Sequence, residues 1–169
     1  MEINEKTKKQ ILKNLYSIES VIILSAIEDI RNQGDEELLE AMLSILISNI
    51  DSEIENKILS CIADLKDNKT IPFLISVIKN NKFLSKKREL LQAFWQTNFN
   101  FDEYIDIFTH ILITDSFEIA FEAFTIIEIA SDTLDDKVKL EQQSIIKKAL
   151  LSVDSQKKAL LEEAITVLN

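Results

Sequence analysis

Apolar residues return at intervals of three and four through almost the whole chain, as in Ile11, Leu12 and Leu15 and again in Ile23, Ile27 and Ile30. That is the period of an amphipathic helix, and the strict alternation of a half-buried strand is not sustained anywhere. The pattern predicts helices at about 4–16, 20–32, 36–48, 53–65, 70–80, 85–97, 102–113, 116–130, 134–151 and 155–168. The breaks have a rhythm of their own. Asp51, Asp115 and Asp154 each open an apolar segment and Asn81 falls near the missing beat, a recurrence of roughly 32 to 39 residues. A period of that length is expected of stacked helix pairs, none of which buries its apolar face alone. The expected fold is therefore all-α, an α-α superhelix of about five stacked antiparallel helix pairs. With no Ser/Gly/Pro-rich linker and no low-complexity tract, residues 1–169 are expected to form a single domain.

The rare residues punctuate this pattern. Ser52 is followed three positions later by Glu55 and Asp115 by Glu118, each a candidate reciprocal cap for orphan backbone amides. The lone glycine, Gly34, follows the helix ending near Asn32, where a left-handed cap residue is wanted. Pro72 falls in the first turn of its helix, where a missing amide hydrogen costs little.

The segments can be overlaid. Residues 62–74, IADLKDNKTIPFL, have an earlier relative 35 positions back that sets Ile30 over Leu65 and Leu39 over Leu74, and a later one 65 positions on that sets Ile127 over Ile62 and Asp132 over Asp67. In Asp67, Ile71, Pro72 and Leu74 the chain resembles the HEAT repeat family, whose units join an apolar first helix to a second by a short turn containing Asp and a valine or isoleucine before proline. The resemblance is sharp over residues 51–80 and extends through most of the chain as periodicity. Where HEAT units commonly carry a basic residue early in the first helix to tie neighbouring turns, this chain has Glu55, so the resemblance gives no Asp–Arg ladder here. What it implies is a scaffold presenting a concave groove to another macromolecule, often a protein.

Charge narrows the choice of ligand. The formal net charge is −10, which on average repels nucleic acid and anionic lipid and weighs against both as generic partners. Residues 17–56 sum to −9 and residues 101–136 to −10, the latter with ten carboxylates and no lysine or arginine. Residues 57–100 sum to +5. No apolar run is long enough to span a bilayer and no secretory signal opens the sequence, so a cytoplasmic protein is expected. A single cysteine, Cys61, sits on an apolar stripe with Leu59, Ile62 and Leu65 and is expected to be buried and inert.

Little in the sequence speaks for catalysis. The one histidine, His110, stands four residues after Asp106, a half-site for a metal with no second half, so an exposed pair is expected. Cys61 and His110 are far apart in sequence, which disfavours a nucleophile–base pair. Glu118 and Glu122 share a helix face as like charges, expected to be solvated. The acidic stretch 131–136 lacks the glycine and distal Glu of an EF-hand loop, and a chain with one glycine cannot build a phosphate cradle. No catalytic residue, cofactor or metal is assigned. Nine of the twelve aromatic residues fall between Phe94 and Phe124, expected to be mostly core, with Trp95, Phe99 and Phe101 straddling a helix end where a ring could anchor a partner.

If the second helix of each pair lines the groove, Glu37, Glu40 and Ser44 face it from one repeat, Lys69, Ser76 and Lys79 from the next, and Asp102, Asp106 and His110 from the third. Such alternation of charge steers a partner and sets its register more than it supplies raw affinity. The function expected is a non-catalytic intracellular adaptor, scaffold or inhibitor, monomeric or weakly dimeric, that binds a basic protein partner and not nucleic acid or membrane. Its candidate contact residues are Glu37, Glu40, Lys79, Trp95, Phe99, Asp102, Glu103, Asp106 and His110. The alternative is an enzyme or ligand-binding protein on the same scaffold, like the HEAT-like DNA glycosylases or bilin lyases.

Overall fold

The computed structural model describes residues 4–33, 35–48 and 50–169. It is all-α, with no strand among the described residues. The helices are α1 (Glu5–Leu15), α2 (Ser20–Gln33), α3 (Glu36–Leu46), α4 (Ser52–Ala63), α5 (Ile71–Lys79), α6 (Lys87–Trp95), α7 (Ile105–Thr114), α8 (Phe117–Ala130), α9 (Asp136–Ala149) and α10 (Ser155–Val167). Each of the ten segments expected from apolar periodicity is a helix, with ends that move by a few residues at most. Three short 3₁₀ turns were not foreseen, at Asn68–Thr70, Asn81–Lys86 and Asp102–Tyr104.

The residue before the helix differs from the expected cap at two starts. The cap of α4 is Asp51, one residue before the expected Ser52, and its carboxylate accepts the amide of Glu53 at 2.8 Å. Ser116, not Asp115, precedes α8, and its side chain makes no capping bond. Asp67 accepts the amide of Lys69 at 3.0 Å and so opens the turn that leads into Pro72 in the first turn of α5. Gly34 lies outside the described residues.

The chain divides into two compact units, Met1–Thr97 and Asn98–Asn169. In the first, α2 packs on α4 and α4 on α6, while α1 packs on both α2 and α3 and α5 packs on α6. Ile27, Ile30, Leu38, Met42, Leu46, Ile58, Cys61, Ile62 and Leu74 form its water-free interior. In the second, α7 packs on α8 and α9, and α10 on α8 and α9. Its interior holds Phe108, Leu112, Ala120, Ala123, Ile127, Ile146 and Leu161.

Polar ties in the first unit run between residues about one repeat period apart. Arg31 on α2 pairs with Asp64 at 3.1 Å and donates to the Ser60 hydroxyl at 3.0 Å, and Lys57 pairs with Glu28 at 2.6 Å. Glu55, the acidic residue where a basic one was wanted, pairs with Lys86 at 2.5 Å. Neighbouring turns are thus tied after all, by Arg31 to Asp64 and by a pair of inverted polarity from Glu55. In the second unit the hydroxyl of Thr133 donates to Asp102 at 3.0 Å across a comparable interval.

These pairs set a pH dependence. The Lys57 ammonium holds the Glu28 carboxyl below its ordinary value of 4.5. Burial raises Asp35, but its bonds from Lys8 and from the amide of Leu38 outweigh that and leave it below 3.8. Carboxyls whose folded pKa is depressed contribute stability that is present above their unfolded pKa and is lost as pH falls through the folded value. Thermal unfolding followed by circular dichroism should therefore show the melting temperature falling as pH drops below about 4, and the deficit of a Lys8→Met variant against the parent shrinking there. A deficit that stays constant down to the lowest pH would contradict this account.

Candidate functional site

The groove expected on the second helices has a counterpart in the first unit. Side chains of α3 and α5, together with the turn after α5, line a recess of about 90 Å³ formed by Glu40, Leu43, Ser44, Phe73, Ser76, Val77, Asn80, Lys82 and Phe83. Periodicity put Glu40, Ser44 and Ser76 on one side of successive repeats, and the structure brings these three together. Lys79 lines an adjoining open depression with Pro72, Ile75, Ser76 and Asn80. The recess has an apolar floor because Leu43, Val77 and Phe83 are buried core residues that reach its base.

Its hydroxyls are already committed. Ser44 donates to the carbonyl of Glu40 at 2.9 Å and Ser76 to that of Phe73 at 2.7 Å, the local back-bonding common to these residues in helices. The Asn80 side chain accepts the amide of Lys82 at 3.0 Å, and the Lys82 ammonium lies 5.8 Å from the centre of the Phe83 ring. Glu40 is exposed on the α3 wall and Lys82 on the other, so the recess is polarised from acidic to basic. Sequence reasoning missed Phe73, Asn80, Lys82 and Phe83 here. They belong to the outer face of α5 and to a 3₁₀ turn, which helical periodicity does not register.

Glu37 is exposed but not a free anion, since Lys8 pairs with it at 2.6 Å and with Asp35 at 3.0 Å. Those bonds raise the Lys8 ammonium above its ordinary value, with the Glu37 bond the larger cause. One end of the acidic wall on α3 is thereby partly neutralised from α1. Trp95 is half-buried at the end of α6.

In the second unit Phe99 is buried. Its ring stands edge-on to Phe101 at 6.1 Å, and Phe101 edge-on to Phe108 at 5.4 Å. Phe99 and Phe101 are therefore packing elements in the core and not exposed anchors. Asp102 is half-buried and tied: its carboxylate accepts the Asn100 amide group at 3.0 Å as well as the Thr133 hydroxyl. Glu103, Asp106 and His110 are exposed, and the last two share a face of α7 at the expected four-residue spacing. Glu118 is exposed as expected, but Glu122 on the same helix is buried, because the arc of α8 that carries it also carries the buried Ile126. Among the described residues no group of three or more His, Cys, Asp and Glu comes together as metal ligands would. Burial pushes the Cys61 thiol up to about 11, so the group is a neutral thiol at physiological pH and a poor nucleophile.

Two features were illegible before the structure. Lys157 is buried, and its ammonium donates to the carbonyls of Ile113, at 2.7 Å, and Asp115 at the end of α7. Gln156, Lys158, Glu162 and Glu163 on the same helix are exposed. The second is on α8, where Phe121 and Ile129 face solvent. No described helix is long and apolar enough to cross a membrane.

Comparison with known proteins adds little to this geometry. No family model matches the chain, and no curated protein matches it. Among solved structures the chain is similar to the crystal structure of an engineered protein, at 16% identity and a TM-score of 0.44, over 94% of this chain and 77% of that one.

Proposed function

We propose that this protein is a non-catalytic binding scaffold of HEAT-like helix pairs, about five of them in one superhelical array, that presents an acidic concave surface to a basic protein partner. The observation that carries this reading is the meeting of α3 and α5 side chains in one recess, the two helices that repeat periodicity assigns to the groove. Glu40 on one wall and Lys82 on the other, with Lys79 in the adjoining depression, provide a polarised contact. Glu103, Asp106 and His110 lie exposed in a stretch of sequence, residues 101–136, that has no lysine or arginine of its own. Charges arranged this way steer encounter and fix register. In this reading the protein works inside the cell, as a monomer or weak homodimer, and takes no nucleic acid.

The test is affinity capture from native lysate at low and then raised salt, with mass spectrometry of what is retained. One basic protein held in stoichiometric amount and released by salt is the expected result. Retention of only a coloured or ultraviolet-absorbing small molecule would overturn the scaffold reading in favour of a ligand-binding or enzymatic role.

A further inference from the structure

One arc of α8 is left to solvent along the whole helix, and its composition is unusual for an exposed face. Phe121 is 49% exposed and Ile129 52% exposed, with the half-buried Thr125 midway between them and the half-buried Phe117 one turn before. Residues four apart lie on one helix face, so these side chains form a continuous stripe. The Phe121 ring lies 6.4 Å from that of Phe117 and 6.4 Å from that of Phe124, which is buried. Neighbouring rings therefore hold the exposed one in place, and binding need not freeze a freely rotating side chain. Glu118 and Glu128 are exposed along the same arc, and α8 contains no lysine or arginine.

From this combination we infer that the solvent face of α8 is the docking surface for an amphipathic helix whose apolar stripe is flanked by lysine or arginine. The inference rests on the scaffold reading above and assigns it a specific surface, distinct from the α3–α5 recess. Charge selects the occupant. An anionic membrane or nucleic acid is repelled by a stretch, residues 101–136, that has ten carboxylates and no lysine or arginine of its own. A second copy docking about a two-fold axis would set this acidic arc against itself, because such an interface is built from the same patch on both subunits. A basic helix meets both demands: its apolar side covers Phe121 and Ile129, and its flanks reach Glu118 and Glu128, the groove mode of helix recognition.

The probe is a synthetic peptide of leucine and lysine alone, roughly four helical turns long, with leucines at helical spacing. It is titrated against the full chain at low and raised salt. The expected result is salt-sensitive binding that weakens by at least about tenfold in Phe121→Ser and again in Ile129→Ser, as for central apolar contacts of an interface. Both residues are about half exposed, and circular dichroism checks that helicity is kept. A fully surface variant, Glu128→Lys, should also weaken binding, by repulsion. Absence of peptide binding, or binding undiminished in all three variants, would overturn the inference. Binding lost in Glu103→Lys/Asp106→Lys but unchanged in the α8 variants would overturn it while leaving the scaffold reading intact. Sedimentation showing a dimer that Phe121→Ser dissociates, or retention by anionic vesicles, would overturn it by naming a different occupant.

Discussion

Phe108→Ala should destabilise the second unit by about 3–5 kcal/mol, among the largest effects expected of a single truncation. Phe108 is completely buried on α7, and its ring meets Phe101 edge-on at 5.4 Å. Truncation removes the transfer free energy of the ring and leaves a cavity beside Phe101 that a close-packed interior fills only in part. The edge-to-face contact adds a further fraction of a kcal/mol to about 1.5 kcal/mol beyond area alone. Domains of this size keep a net stability of only about 5–15 kcal/mol, so the variant should lose a large part of its resistance to urea. Chemical denaturation followed by near-ultraviolet circular dichroism would measure it. A loss below about 1 kcal/mol would mean that the aromatic cluster is not the core described above.

Lys157→Met should cost about 1–3 kcal/mol, whereas the same change at the exposed neighbour Lys158 should stay within about 0.5 kcal/mol. The Lys157 ammonium answers the carbonyls of Ile113 and Asp115, two of the orphan acceptors that every helix leaves at its C-terminal end. Methionine keeps the apolar stem and withdraws the donor, so those carbonyls lose a partner where water is scarce. The lysine itself is not comfortable. Burial lowers its pKa, only partly offset by Asp115 and Asp154. A cation whose folded pKa is depressed is destabilising while protonated, and that cost is lifted as pH rises from the folded value towards 10.5. The stability gap between parent and Lys157→Met should accordingly widen as pH rises towards 10.5. A gap that closes in alkali would reverse the sign and contradict the placement of Lys157.

The helices were legible because a period near 3.6 needs only the local alternation of apolar and polar residues, and that pattern survives any tertiary arrangement. Cap positions were less so. Asp51 and Ser52 are both good capping residues, and the choice between them depends on backbone angles that residue type does not encode. Side-chain fates set by tertiary placement were not legible at all. Lys157 reads as a surface lysine until α10 is set against the end of α7, and Glu122 reads like Glu118 until α8 is turned so that only one of them faces water. Phe99 read as an anchor because it follows a helix end, yet the chain folds it inward onto Phe101. In the candidate site, Glu40, Ser44 and Ser76 could be brought together by periodicity alone. Asn80, Lys82 and Phe83 could not, since the turn that carries them is 3₁₀.

The most direct test of the binding account is an isothermal titration of the captured basic protein against the parent chain and the Glu103→Lys/Asp106→Lys variant at low and high salt. Both substituted residues are exposed and neither has a structural tie of the kind that holds Asp102. The account expects the parent's affinity to fall with salt and the variant's to be weaker by at least about tenfold at low salt, with unchanged helicity. Equal affinity of the two chains, insensitive to salt, would contradict it and leave the acidic stretch as nothing more than a solvated face.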